Sequence, residues 1–235
     1  MLRKIRKLVT EPINVRSLNQ DERILLILSD SGLFVEKWYL RANQDVKDSG
    51  LSALEHYYFN GYQEGRQPCY LFDPLWYLEN NLDVKNSGIE PLTHYVLFGD
   101  AEDRQPSIYF DPKYYREQVD LSSDTLALSH FLANISSGVG QPLPAFNVKY
   151  YLDENKDIAK KKVDPYEHFL LQGQVEGRNP NANFDSLWYG KEYLKGVTTD
   201  RVFTHYLQEG VKAGLATNMM GLLKQELRDS LLIKR

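Results

Sequence analysis

Five imidazoles and three arginines are the side chains of this sequence whose spacing could do chemistry. His56, His94, His130, His168 and His205 are all of its histidines, and they fall 38, 36, 38 and 37 residues apart. Imidazole binds zinc and moves protons near neutral pH. A zinc site, however, needs its imidazoles within about 2.0–2.1 Å of one ion, whereas neighbouring helices pack about 8–10 Å apart. Histidines at equivalent places in successive units therefore do not meet. Each precedes an aromatic residue (Tyr57, Tyr95, Phe131, Phe169, Tyr206), which predicts a half-buried ring bonded to backbone or to a neighbouring tyrosine.

The arginines sit in a triplet, Glu-Gly-Arg or Glu-Asp-Arg, that places Glu64 with Arg66, Glu102 with Arg104 and Glu176 with Arg178. Planar guanidinium groups in a row could grip phosphate or carboxylate, which makes these six residues a candidate partner or ligand surface. The alternative is bracing, each Arg pairing with its neighbouring Glu or with the N-cap Asp of the next copy. A motif tied to a repeat usually serves the repeat, so bracing is the preferred reading. Trp38, Trp76 and Trp188 share one position with Tyr114 and Tyr150; exposed, they would be sugar-stacking platforms, and core packing is the default.

A single cysteine, Cys69, rules out an internal disulfide and any multi-cysteine zinc site. The phosphate-cradling, dinucleotide, zinc-protease and nucleophile-elbow motifs are missing from the sequence. No catalytic residue, cofactor or metal is expected.

Charge is unevenly placed. Residues 1–9 carry Arg3, Lys4, Arg6 and Lys7 and no acid, and the last twelve residues carry four basic and two acidic groups; with a net charge of -4, the stretch between sums to -10. An acidic body repels nucleic acid. The basic start, with Leu2, Ile5 and Val9 near one side, is a candidate arm for an anionic membrane surface. No signal-peptide pattern and no spanning segment is read, so a cytoplasmic protein, peripheral at the inner membrane through this arm, is the expectation.

What must position these residues is a repeated unit. Phe34, Phe72, Phe110, Phe146 and Phe184 are spaced 38, 38, 36 and 38, in step with the histidines, so five copies run 34–71, 72–109, 110–145, 146–183 and 184–218. In copy two, Asp73 followed by Pro74 reads as an N-cap with proline at the first helical position. Pro91 opens a second helix, and Gly99 falls where a left-handed C-cap would be wanted. Each unit thus reads as two short helices with a turn, "DVKN" adding a third helical turn. Helices this short are unstable alone and must stack. The expected fold is all-α, an α-solenoid-like array of helix-turn-helix repeats after a basic arm (1–20), with capping helices at 21–33 and 219–235. Copy three lacks the glycine and the Glu-Gly-Arg triplet, and copy five lacks "N-x-D-V".

The unit shared by copies one, two and four, roughly F-D-x-x-W/Y-Y-L-x-x-N-x-D-V-x-x-S-G-x-x-P-L-x-H-Y-x-x-x-G-x-x-E-G-R-x-P, resembles a repeat of bacterial proteins of cell-surface polysaccharide assembly. There it is often appended to glycosyltransferases. The likeness covers about Phe34 to Asn218. It implies a non-catalytic scaffold or adaptor whose partner is a glycosyltransferase or polysaccharide-assembly enzyme. A glycan-binding module using the aromatic surface and a divergent or truncated glycosyltransferase are the alternatives.

Overall fold

The structure, a computed structural model, describes residues 15–194 and 201–232. These residues are all-α: they hold no strand, and two isolated antiparallel bridges, Cys69 with Phe72 and Ser107 with Phe110, mark the joins between copies. The chain divides inside copy three into two compact units, one of residues 1–116 with 120–132 and the other of 117–119 with 133–235.

Each copy begins with a short helix: Glu36–Ala42, Pro74–Asn80, Pro112–Arg116, Val148–Glu154 and Ser186–Tyr193. The cap read from the sequence is in place, Asp73 accepting the amide of Trp76, and Asn147 and Asp185 do the same for Tyr150 and Trp188. The "N-x-D-V" stretch of copy two and its "N-x-D-I" counterpart in copy four open helices of their own, Leu82–Ser87 and Lys156–Lys161, and in copy one the stretch is a 3₁₀ turn, Gln44–Asp48. These copies therefore have three helical segments, the third being the helical turn expected at "DVKN" and its equivalents. The last segment starts as α-helix and widens into a π-helical turn at Tyr57–Gly61, Tyr95–Gly99, Phe169–Gly173 and Tyr206–Gly210. Copy three stays α over Ala127–Asn134 and tightens into the 3₁₀ turn Ile135–Ser137. Backbone bonds close the copies on themselves: the amides of Val35, Asp73, Asn147 and Asp185 donate to the carbonyls of Pro68, Pro106, Pro180 and Thr217 at 2.9–3.1 Å.

The core is aromatic. Within copy two, Phe72, Tyr77 and Tyr95 form a triangle with ring centroids 5.4–5.9 Å apart, Tyr77 meeting Tyr95 edge-on, the arrangement that ring quadrupoles favour. The fully buried position of the first helix belongs to Tyr39, Tyr77, Tyr115, Tyr151 and Tyr189. The tryptophans flank that position: Trp38, Trp76 and Trp188 are half-buried rather than enclosed, because one residue along a helix turns the side chain by about 100°, and Trp188 packs against the core of copy five at Phe184, Tyr189 and Val202.

Three expectations change. Gly99 is not a left-handed cap; left-handed backbone falls at Gly65, Asp103, Gly177 and Gly214, the middle of each triplet or its equivalent. The lysine run at 160–162, which from sequence reads as a solvated loop between the helices of copy four, is exposed but helical: Lys160 and Lys161 end the helix Lys156–Lys161, and Lys162 is its left-handed cap. The C-terminal helix, Met219–Leu232, buries none of its residues. Tyr206 of copy five is half-buried where Tyr57, Tyr95 and Phe169 are fully enclosed, so this helix does not act as the cap expected over copy five. The N-terminal helix Gln20–Asp30 does cap: Asn19 and Glu22 form its capping box, Leu25 and Leu28 are wholly buried, and Tyr58 donates to Asp21 at 2.9 Å.

Candidate functional site

The histidines and arginines fall into one recurring polar arrangement inside each copy. The buried tyrosine of the first helix reaches the histidine of the last: Tyr39 Oη lies 3.0 Å from His56 Nδ1, Tyr77 3.0 Å from His94, Tyr115 2.8 Å from His130, Tyr151 2.9 Å from His168 and Tyr189 3.0 Å from His205. All five hydroxyls thereby satisfy a polar group carried into an aromatic core.

A glycine makes room for the contact. A Cβ on Gly61, Gly99, Gly173 or Gly210 would overlap the hydroxyl of Tyr39, Tyr77, Tyr151 or Tyr189. The widened turn presents that glycine: its carbonyl accepts from Arg66, Arg104, Arg178 or Leu215 at 2.8–2.9 Å, and Tyr62, Asp100, Gln174 and Val211 donate back to Tyr57, Tyr95, Phe169 and Tyr206. Copy three, with Ile135 in the glycine's place, lacks the π turn.

Arg104 closes the copy on the outside. Nη1 and Nη2 each donate to Asp83 at 2.8 Å, Nη1 also to Asn81 at 3.0 Å, and Nε to Glu102 at 2.6 Å. Asn81 in turn donates to the Tyr77 carbonyl at 2.8 Å, which links the clamp to the core helix. Arg178 repeats this with Asp157, Asn155 and Glu176, and Arg66 with Asp45, Asn43 and Glu64. The arginine braces its own copy through the neighbouring Glu, one of the two partners expected, and through the "N-x-D" pair, which takes the place of the other, the N-cap Asp of the next copy. Its side chain is about one-fifth exposed (22–23%) while the Asp and Glu stay open to solvent. The guanidinium hydrogen bonds hold Asp83 and Asp157 down at about 2 and lower Asp45 as well.

Separate bonds join one copy to the next. Tyr57 of copy one donates to Glu90 at 2.9 Å, and Glu90 also caps the last helical segment of copy two, accepting from the amides of Leu92 and Thr93 and from the Thr93 hydroxyl. Burial pushes the Glu90 carboxyl up, opposed by these donors. Asp100 accepts from Tyr95 at 3.0 Å, caps Ala127 of copy three at 3.0 and 3.2 Å, and pairs with Arg116. Thr204 of copy five faces Gln174 of copy four at 3.4 Å. Sequence reading did not single out Glu90 or Asp100.

His94 and His168 titrate below an ordinary histidine, first because burial disfavours the cation and then because Arg104 or Arg178 is close. With the folded value depressed, the unfolded chain takes up protons first, from about pH 6.5 downward. Their contribution is therefore complete above that pH and is lost as pH falls through the folded value. Glu90, raised by burial, acts with the opposite sign, so the informative measurement is the difference between wild type and His94→Gln. The advantage of wild type in urea midpoint is expected at pH 7.5 and to shrink toward pH 5.5; a constant or growing advantage would contradict the assignment.

Cys69 is fully buried and its thiol is pushed up to about 11 by that burial. Arg3, Lys4, Arg6 and Lys7 lie outside the described residues. Among the described residues, no three His, Cys, Asp or Glu side chains gather into a metal-holding group, and no helix is long and apolar enough to cross a membrane. No protein-family model, curated protein or solved structure matches the chain.

Proposed function

We propose that the chain is a non-catalytic helical-repeat scaffold that positions glycosyltransferases, or other polysaccharide-assembly enzymes, at the cytoplasmic face of the membrane. One observation carries the non-catalytic part: the groups best suited to chemistry are already engaged, all five imidazoles on a tyrosine hydroxyl and the three triplet arginines on Asp, Asn and Glu of their own copy. Groups held this way preserve the shape of a unit, and repeated units present extended surfaces to partners. The resemblance of the repeat supplies the partner class, and the basic start supplies the membrane side. A second reading, glycan binding, is favoured by one feature, the half-buried rings of Trp38, Trp76 and Trp188 at a single repeat position.

A tagged pull-down from membrane and cytosolic fractions of the native cell, read by mass spectrometry, separates the two. Under the scaffold reading a glycosyltransferase or assembly enzyme is retained from the membrane fraction, and titration with the host polysaccharide leaves tryptophan fluorescence flat. An empty pull-down overturns that reading, and a saturable fluorescence change moves the tryptophans to the front.

A further inference from the structure

The C-terminal helix Met219–Leu232 is an amphipathic helix with its apolar side turned outward. At about 100° per residue, Met219, Met220, Leu223, Leu227 and Leu231 fall in one stripe about 120° wide, and they are 51–60% exposed. The half-buried residues Leu222 and Gln225 lie on the opposite side, where Gln225 donates to the Gly214 carbonyl at 2.8 Å. The helix is thus tied to its own unit by a narrow side of Gly221, Leu222 and Gln225. An apolar stripe of this kind normally faces a core or a partner.

Its edges say which partner. Lys224 and Arg228 border one side of the stripe, and Glu226 and Asp229 border the other. A helix that lies on an anionic membrane carries basic residues on its polar face, and the acidic edge here opposes that. Two copies of the helix set parallel about a two-fold axis place the basic edge of each against the acidic edge of the other. Lys224 and Arg228 then lie within a turn of the partner copy's acids. Antiparallel pairing would put like edges together.

We infer that this helix pairs in parallel with the same helix of a second copy of the chain, through Leu223, Leu227 and Leu231. The inference goes beyond the scaffold reading and stands without it; joined to it, the pairing would present two arrays to one set of partners. Five side chains make less than the roughly 800 Å² per partner of a standard interface, so the dimer is weak and concentration-dependent.

Sedimentation of the full chain from about 5 to 200 μM, a range chosen for micromolar affinity, tests it. Mass should rise toward that of the dimer with concentration, and Leu227→Glu should hold it at the monomer with unchanged melting, because Leu227 is 60% exposed. Leu231→Cys should form a disulfide-linked dimer on mild oxidation with diamide, without competition from Cys69, which is fully buried. Leu231→Cys mixed with Met219→Cys should form no crossed dimer. Monomer mass throughout, a dimer that survives Leu227→Glu, crossed Leu231→Cys/Met219→Cys products, or monomers that sediment with anionic phosphatidylserine vesicles would each overturn the inference.

Discussion

Gly99→Ala is expected to cost about 2–4 kcal/mol of stability, a large effect for one methyl group, from overpacking together with a displaced buried hydrogen bond. The new Cβ overlaps the Tyr77 hydroxyl and would sit 3.2 Å from Tyr95 Cδ2. The ring must tilt away, and His94 Nδ1 then loses its partner in a nearly enclosed site. Conformational preference works in the other direction, since alanine suits a helical turn better than glycine by about 1 kcal/mol, so a net loss isolates the steric effect. The double variant Tyr77→Phe/Gly99→Ala removes the obstructing oxygen and should recover at least about 1 kcal/mol relative to the sum of the single changes, a coupling of the size found for residues in contact. Urea unfolding of the four proteins gives the cycle. Strict additivity, or a Gly99→Ala protein that melts with wild type, would show that the glycine serves something else.

The second large effect is expected at the joint between copies one and two. Glu90→Ala removes a helix cap, about 1 kcal/mol, and strands the hydroxyls of Tyr57 and Thr93, each worth about 1–3 kcal/mol when left buried without a partner. These sum to about 3–7 kcal/mol, and the net loss is expected at the low end, about 2–4 kcal/mol, because burying the carboxylate was itself unfavourable. Glu90→Gln should lie between, since its amide nitrogen meets donors where an oxygen accepted them. Because the chain comprises two units, a single unfolding midpoint need not report this joint. Hydrogen exchange does: amides of Tyr57–Gly61 and Pro91–Gly99 are expected to lose protection while those of Phe169–Gly173 keep theirs. Uniform loss across both units would contradict a local joint.

Much of the arginine clamp was legible in the sequence: bracing by the neighbouring Glu is found in all three copies, and only the second partner differs. The "N-x-D" pair, followed by Val in copies one and two and by Ile in copy four, and the Glu-Gly-Arg or Glu-Asp-Arg triplet are present together in copies one, two and four and absent together from copies three and five. That shared absence signals contact, and the contact is Arg66 with Asp45, Arg104 with Asp83 and Arg178 with Asp157. Bracing by the next N-cap was plausible on spacing alone because an arginine side chain is long enough to reach either acid. The exposed acids of these pairs contribute little individually, as solvated ion pairs do, and their value lies in holding the Asn that caps the core helix.

By itself the sequence determined the period, the all-helical class and the Asp73 cap, because each rests on local chemistry: proline's missing amide, a side-chain oxygen at a helix start, and aromatic and apolar residues at fixed intervals. Only the tertiary structure decided what the histidine touches, why Gly99 is glycine and where the C-terminal leucines point. Those depend on groups brought together across 15–17 residues within a copy, or across 27–33 residues between copies. A glycine required for a left-handed turn and a glycine required by a neighbouring hydroxyl look the same in a sequence; the difference is the position of an oxygen atom that folding alone supplies. The leucines of Met219–Leu232 likewise have helical spacing whether they cover copy five or face outward, and the side that Gln225 ties to Gly214 settles the direction.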